Sequence, residues 1–183
     1  MTTDARSRML DGTIRLLARK GMGASFSELI EASGAPRGSI YHHFPGGKEQ
    51  LLAEAIALAS SRQLAALELL RGQDAFQIVA AFFDGWRRLL LGTEFGAGCS
   101  VAAVTVAAGS GELISGAGAV FRDWGAKLAE LLEAGGIPAS AARGIATLMI
   151  AGSEGAVVLC RAQHSIVPLD SVEASVLDAV RTA

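Results

Sequence analysis

Residues 34–52 read GAPRGSIYHHFPGGKEQLL, and this stretch decides the fold of the 183-residue chain. Its first half predicts a short helix from Pro36 to His43, because proline suits a first helical turn, where its missing N–H is not needed. A break at Phe44-Pro45-Gly46-Gly47 follows. Behind the break, Lys48 begins a longer helix that is expected to run to about Arg71.

Two helical segments precede this stretch. Residues 4–20 carry apolar side chains at helical spacing and end at Gly21, and residues 27–33 form a second, short segment that ends at Gly34. Two short helices joined by a tight turn behind a longer one are the layout of a helix-turn-helix, whose second short helix enters the major groove of DNA. The layout alone also occurs in helical bundles that bind no DNA.

The polar content of the second short helix favours DNA. Ile40 and Phe44 stand four residues apart and can anchor the helix to a core. The other side chains in and beside the helix suit DNA: arginine can donate two hydrogen bonds to a guanine edge, hydroxyls and lysine reach phosphates, and glycine lets the backbone come close. The candidates are Arg37, Gly38, Ser39, Tyr41, His42 and Lys48.

Apolar spacing and capping residues predict helices in the rest of the chain as well. These helices begin near Asp74, Leu113, Ser140 and Asp170, and the patterns Asp74-x-x-Gln77 and Asp170-x-x-Glu173 predict caps for the first and the last of them. Cys99–Ala108 fits a helix or a strand, and helix is favoured because no other segment could pair with a strand. We therefore expect an all-α fold of about nine helices, with a three-helix helix-turn-helix domain at 1–48 and a larger helical bundle at 49–183.

The charge is divided unevenly between these two parts. The net charge is −2, but residues 1–50 carry seven Lys or Arg against five Asp or Glu, while residues 51–183 carry nine against thirteen. A basic head on an acidic body hints at an anionic partner for the head alone.

Residues 34–52 closely resemble the recognition-helix signature of the TetR family of bacterial transcriptional regulators. Residues 6–21 and 25–29 resemble the family's first and second helices. The two-glycine form FPGGK, with GCSVAAV at 98–104, FRDW at 121–124 and EGAVVLCRA at 154–162, resembles a subgroup: the repressors of multidrug efflux genes related to the lincomycin- and flavonoid-responsive regulators.

The resemblance implies an all-helical homodimer that reads the two half-sites of a near-palindromic operator in double-stranded DNA. It also implies a C-terminal domain that binds a small hydrophobic effector and thereby releases the DNA. Carried over by position, Arg37 touches base edges, and phosphates or bases are touched by Ser25, Ser39, Tyr41, His42 and Lys48. Ala24 stands where the family usually has threonine and Pro36 where it usually has serine, so two expected hydroxyls are absent.

The candidate effector site lies in the body. Aromatic side chains with a few polar groups are the usual lining of a small-ligand site, although the same residues can simply form a core. Glu154 sits in an apolar segment and could contact a ligand, pair with an arginine or face solvent. The candidates are Phe82, Trp86, Phe121, Trp124, Met149 and Glu154, with the two indole N–H groups as the best donors.

Small residues in the segment from Ser140 to Gln163 allow another helix to approach closely. Together with a valine stripe near the C-terminus they can form a symmetric four-helix interface between two subunits, or pack inside one chain. The interface candidates are Gly152, Gly155, Leu159, Val172, Val176 and Val180.

Several classes of function are not expected. His42 and His43 are adjacent and diverge on a helix, and Cys99 and Cys160 have no partner at a metal or catalytic spacing, so neither a metal, a cofactor nor an enzyme activity is predicted. The longest run without a charge has 17 residues, against roughly 20 for a membrane span, and the N-terminus lacks the apolar core of a signal peptide, which favours the cytoplasm. The alternative to a ligand-responsive repressor is a helical ligand-binding or enzymatic protein with a purely structural head.

Overall fold

The computed structural model describes residues 5–34 and 37–183, and all regular secondary structure in these residues is helical. The nine described α-helices are α1 (Ala5–Lys20), α2 (Phe26–Ser33), α3 (Arg37–His43), α4 (Gly47–Glu68), α5 (Ala75–Gly92), α6 (Ser100–Ala107), α7 (Gly111–Ala134), α8 (Ala139–Gln163) and α9 (Val167–Arg181). A short 3-10 turn, Gly21–Gly23, follows α1. The all-α prediction is confirmed, and the segment that also fitted a strand is the helix α6.

The chain forms two compact units. Unit 1 consists of Met1–Ser61 and Cys99–Val120, and unit 2 consists of Arg62–Gly98 and Phe121–Ala183. The sequence-based boundary between residues 48 and 49 falls inside α4. That the DNA-binding role belongs to residues 1–48 and the effector-binding role to residues 49–183 stays a prediction.

Unit 1 is built around α1, which packs against both α2 and α6. Met9 and Leu17 of α1 are buried, as are Val101 and Val104 of α6, so both helices turn an apolar face inward. Ile40, on α3, is buried as well. The predicted helix-turn-helix segments are therefore supported by a helix that lies some 60 residues further along the chain.

Unit 2 has its core between α5, α8 and α9, which pack against one another. The capping box predicted at Asp74 is present: its carboxylate accepts from the Gln77 N–H at 2.9 Å, and the Gln77 side chain accepts from the Asp74 N–H at 3.1 Å. The largest buried side chains of the core include Phe83, Ile78, Leu90 and Leu128.

The last helix begins earlier than the sequence predicts. Asp170 was expected to cap it, but α9 starts at Val167 and places Asp170 in its first turn. The Asp170 carboxylate accepts instead from Arg87 Nη2 at 2.7 Å, and Glu173 accepts from the same nitrogen at 2.7 Å. Asp170 therefore joins α9 to α5 and does not cap the helix.

Four charged side chains join the end of α4 to α7 within unit 2. Lys127 Nζ donates to Glu68 at 3.1 Å and to Glu130 at 2.8 Å, and Arg71 donates to both carboxylates as well. The hydrogen bond from Arg71 is the main reason that the pKa of Glu68 falls to about 2, with Lys127 second. The charge on Lys127 is therefore neutralised locally.

Within the described part of the chain, α8 is the one helix long and apolar enough to cross a membrane, on length and composition alone. Its Ile145, Met149 and Cys160 are buried against α5 and α9. We therefore describe α8 as a core helix of unit 2.

Candidate DNA-binding interface

The helix α3 is fixed to unit 1 by its two apolar anchors. Ile40 and Phe44 are buried, and the Phe44 N–H donates to the Ile40 carbonyl at 2.7 Å. The Arg6 guanidinium lies over the Phe44 ring, 5.2 Å from its centroid, and also pairs with Glu54. These contacts bury one face of α3, and on its outer face the described residues Tyr41 and His42 are exposed.

Tyr41 stands on that outer face. Its side chain is 60% exposed, which is high for a large aromatic residue, and its ring meets Phe26 of α2 edge to face at 6.0 Å. His42 is exposed and His43 is half-buried. The ring of Tyr41 is thus held in place while its hydroxyl remains able to donate to a phosphate.

Three predicted DNA contacts cannot be located in the same way. Arg37, Gly38 and Ser39 belong to the first turn of α3, and their side chains lie outside what the structure describes.

Ser25 begins α2. Its Oγ accepts from the Glu28 N–H at 3.2 Å, and its own N–H donates to the Glu28 carboxylate at 2.8 Å, which is a complete capping box. Lys20 Nζ donates to the same carboxylate at 2.6 Å. The Lys20 bond, followed by the bonds with Ser25, lowers the pKa of Glu28 to about 2. The Ser25 hydroxyl is accepting in this box, so its proton is still available to a phosphate.

Lys48 reaches back to the start of α2. Its Nζ donates to the carbonyl of Ala24 at 3.2 Å, and its side chain is half-buried. The bond places the ammonium next to Ser25, so the structure brings two of the predicted phosphate contacts together. A lysine in the first turn of a helix opposes the helix dipole, and this bond explains what holds it there.

The turn between α3 and α4 depends on Gly47. Its φ of 68° is in the left-handed region, and its N–H donates to the Phe44 carbonyl at 2.9 Å. The Gly46 N–H donates to the Gln50 side chain at 2.7 Å. The glycine pair therefore serves the turn that sets Lys48 at the beginning of α4.

Sequence reasoning did not find three residues of this interface. Phe26 supports Tyr41, the Ala24 carbonyl holds Lys48, and Lys20 holds the Glu28 carboxylate. The Ser25-x-x-Glu28 pattern was the available signal for the capping box. The contacts of Phe26 and Ala24 join different helices and leave no local pattern.

The candidate effector residues are divided between the core and its edge. Phe82 and Met149 are buried in the core of unit 2, and Trp86 is half-buried against it. Glu154 is half-buried and interacts with neighbouring groups. These positions agree with the core alternative for Phe82 and Met149.

Phe121 and Trp124 form a separate pair on α7. Their rings meet edge to face at 5.6 Å with an interplanar angle of 88°, and Trp124 is 8% exposed while Phe121 is half-buried. Among the described residues, nothing accepts a hydrogen bond from the buried Trp124 Nε1. Buried indole N–H groups usually find a partner, so this donor stands out.

The residues named for the dimer interface also separate into two groups. Val176 and Val180 are buried in the core of unit 2, and a Cβ on Gly152 would lie 2.7 Å from Val172 Cγ1, so these four pack inside the chain. Gly155 and Leu159 lie on the exposed face of α8.

Two short helices with buried apolar anchors, an exposed Tyr41 and His42 on the second of them, and a second helical unit are typical of a helix-turn-helix DNA-binding protein. Comparison with known proteins specifies the family. Residues 9–55 match the model of bacterial regulatory proteins of the tetR family, and residues 75–175 match the C-terminal domain of LmrA/YxaF-like transcriptional regulators. The chain belongs to the TetR family of transcriptional regulators. It is a DNA-binding regulator and not an enzyme.

Individual relatives agree with this assignment. The chain is 38% identical to an HTH-type transcriptional regulator of Mycobacterium tuberculosis over 91% of this chain and 89% of the relative, and 29% identical to the regulator LmrA of Bacillus subtilis over 97% of both. Its fold is similar to TetR regulators from Legionella pneumophila (TM-score 0.87, 22% identity, 97% and 98% of the two chains) and Rhodobacter sphaeroides (0.84, 20%, 94% and 96%).

Proposed function

We propose that this protein is a repressor that binds a near-palindromic operator as a homodimer and leaves it when a small hydrophobic effector binds unit 2. The observation that carries the proposal is the 60% exposure of Tyr41 on a short helix whose neighbours Ile40 and Phe44 are buried. A side chain that is this exposed contributes little to the packing of the chain, so a partner outside the chain accounts better for the tyrosine. Its exposure supports a role for α3 as a recognition helix.

Phosphate contacts supply most of the affinity in this proposal. Phosphates or bases are contacted by Ser25, Ser39, Tyr41, His42 and Lys48, and Arg37 contacts base edges. With roughly eight to ten phosphate contacts per dimer, log K should fall with log salt concentration at a slope of about −7 to −9. This number of phosphate contacts suffices for binding even though the net charge of the protein is −2.

The exposed face of α8 supports a homodimer. An uncharged stripe of exposed residues recurs there at spacings of three and four, the pattern of a helix seam. Its members are Leu148, Ala151, Gly155, Val158, Leu159 and Ala162. On α9 the exposed Ser171, Ala174 and Ser175 are small enough for close approach. Two such pairs of helices bury this stripe if they pack as a four-helix interface.

The effector part of the proposal rests on unit 2. The pair formed by Phe121 and Trp124 offers an aromatic surface and a free donor, which together suit a small ligand that is mainly apolar. The match of residues 75–175 to a C-terminal domain of regulators supports a role for this unit beyond the scaffold.

The decisive experiment is an anisotropy titration with DNA from upstream of the protein's own gene, over a series of salt concentrations. Lys48→Ala should weaken binding and make the salt slope shallower by about 2, because each dimer loses two phosphate contacts. Tyr41→Ala should also weaken binding. Arg88→Ala removes one exposed cation from unit 2 and is the matched control, for which affinity should not change. Binding that is insensitive to salt, or unaffected by both test variants, refutes the proposed contacts.

A further inference from the structure

The positive charge of the N-terminal part of the chain is concentrated in α1. This 16-residue helix carries five Lys or Arg against one Asp, a net charge of +4, although the net charge of the whole protein is −2. Only two further basic residues, Arg37 and Lys48, occur in residues 1–50. The DNA contacts proposed above therefore use a small part of this basic charge, and α1 holds the rest.

Three arginines lie together on one exposed side of α1, which we call the arginine face: Arg8, Arg15 and Arg19. Their spacings of seven and four residues place them on the same side of the helix, while Met9 and Leu17 are buried. Arg8 and Arg19 also interact with neighbouring groups, whereas the Arg15 side chain makes no hydrogen bond or ion pair within the described part of the chain. The face is therefore a surface that attracts anions.

The stability of α1 does not account for Arg15. A cation in the last turn suits the helix dipole, which explains Arg19, but Arg15 lies before that turn. Like charges four residues apart destabilise a helix, so Arg15 and Arg19 repel each other. A polyanion outside the chain removes this repulsion.

One end of the arginine face lies next to the proposed phosphate contacts. Lys20 donates to the Glu28 carboxylate, which also accepts from the Ser25 N–H. Lys48 donates to the carbonyl of the residue that precedes Ser25. Because Arg19 directly precedes Lys20, a DNA backbone that contacts Ser25 and Lys48 can continue along α1.

The length of the arginine face suits DNA. Arg8 and Arg19 are eleven positions apart, which corresponds to about 16 Å at the rise of an α-helix. A DNA strand advances about 3.4 Å per base pair, so the face spans about five base pairs. Among anionic partners, DNA alone is continuous with the interface already proposed and carries phosphates at regular intervals over this distance.

We infer that the arginine face of α1 binds the phosphate backbone of DNA that flanks the operator half-site, and that it adds affinity without sequence preference. The inference rests on the proposed function, because it extends the DNA contacts of the same helices beyond Ser25 and Lys48. Exposed arginines act here mainly by releasing counterions from the DNA. Their contribution therefore appears in the salt dependence and requires DNA beyond the half-site.

Two duplexes test this inference by anisotropy titration of the full chain over a series of salt concentrations. The first is the shortest duplex from upstream of the protein's own gene that gives a specific complex, and the second adds about ten base pairs of unrelated sequence at each end, one helical turn. The wild type should bind the longer duplex more tightly and with a steeper salt slope. Arg15→Gln should make that slope shallower by about 2, because each dimer loses two contacts, and should leave the shorter duplex unaffected.

Charge and structure are separated by further variants. Arg15→Lys keeps the charge and should retain the slope of the wild type, and circular dichroism should show the same helix content for both Arg15 variants. Arg88→Gln removes one exposed cation from unit 2 and is the matched control, for which neither duplex should change. Replacing all three arginines of the face by glutamine should make the slope on the longer duplex shallower by about 5.

The outcomes distinguish this inference from the proposed function. If Lys48→Ala weakens binding to both duplexes but Arg15→Gln and the triple variant change neither, the repressor stands and the arginine face serves another partner, which overturns the inference. An equal effect of Arg15→Gln on both duplexes also overturns it, because the contact then lies within the operator.

A duplex of unrelated sequence tests the arginine face without an operator. At low salt the triple variant should bind this duplex more weakly than the wild type does, with a shallower salt slope. If it does so while no upstream DNA gives a specific complex, the arginine face stands as a DNA-binding surface and the specific repressor is refuted. Equal binding of the unrelated duplex by the wild type and the triple variant overturns the inference.

Discussion

Hydrogen bonds fix individual side chains near the start of α2. Glu28 accepts from Lys20 and from the Ser25 N–H, and Lys48 donates to the Ala24 carbonyl. Ser25 was predicted from the sequence as a DNA contact. The structure shows that Ser25 also caps α2, so its hydroxyl oxygen accepts a hydrogen bond within the chain while its proton can be donated to a partner.

The pair of Glu28 with Lys20 makes a pH-dependent contribution to stability. The pKa of Glu28 is lowered from 4.5 to about 2, so the pair stabilises the folded state fully above pH 4.5 and loses this effect as the pH falls toward 2. Glu28→Gln keeps an acceptor for the capping box and removes the charge. Urea unfolding should show the wild type more stable than this variant near pH 6, with the gap closing between pH 4.5 and 2.

Salt provides the control for this pair. Because both side chains are accessible to solvent, 1 M NaCl should shrink the gap near pH 6. A gap that stays constant from pH 6 to pH 2 would show that the charge of Glu28 does not stabilise the fold.

Individual helices were predictable where their signals are local. The Asp74 capping box, the left-handed Gly34 at the end of α2 and the break before α4 depend on residues within four positions of one another. The prediction placed the beginning of α9 too late because Asp170 fits a capping box but is held by Arg87, 83 residues away, while Pro168 in the first turn was the local signal for the earlier start. A capping pattern cannot show that such a partner competes for the carboxylate.

The contact between α8 and α9 depends on the absence of a side chain at Gly152. A Cβ there would lie 2.7 Å from Val172 Cγ1, and valine has little freedom to turn away. Gly152→Ala should cost about 1–3 kcal/mol through overpacking, offset by up to about 1 kcal/mol of helix propensity. Gly85→Ala on α5, where a Cβ meets nothing within 4 Å, should keep that gain and serves as the control.

Chemical unfolding of both variants measures this difference. Combining Gly152→Ala with Val172→Ala should cost less than the sum of the single changes, because the second removes the methyl group that clashes. Strict additivity, or a Gly152→Ala variant as stable as Gly85→Ala, would mean that the two helices do not approach as closely as described.

At the scale of the whole molecule, the sequence could not show which apolar helix faces are buried within the chain and which are left for a second subunit. Val176, Val180 and Leu159 all fit an apolar stripe, yet the two valines are buried in unit 2 and Leu159 is half exposed. Periodicity shows that a face is apolar but not whether its partner is the same chain or a second copy. The division of the effector candidates between core and edge has the same cause: apolar side chains at helical spacing look alike in both places.

The exposed stripe on α8 gives a direct test of assembly. Leu159→Arg places a charge within the stripe, and a charge buried without a partner opposes association. Light scattering after size exclusion should show a monomer, and affinity for an operator with two half-sites should fall by about 100-fold or more, because the second head no longer binds as part of the same complex. Leu69→Arg introduces the same charge at a leucine that is 82% exposed and follows directly after α4, and this control should remain dimeric and bind normally. If Leu159→Arg is still a dimer, the subunits associate through another surface. If it is a monomer that binds the operator as tightly as the wild type does, one head is sufficient and the symmetric model of operator recognition is wrong.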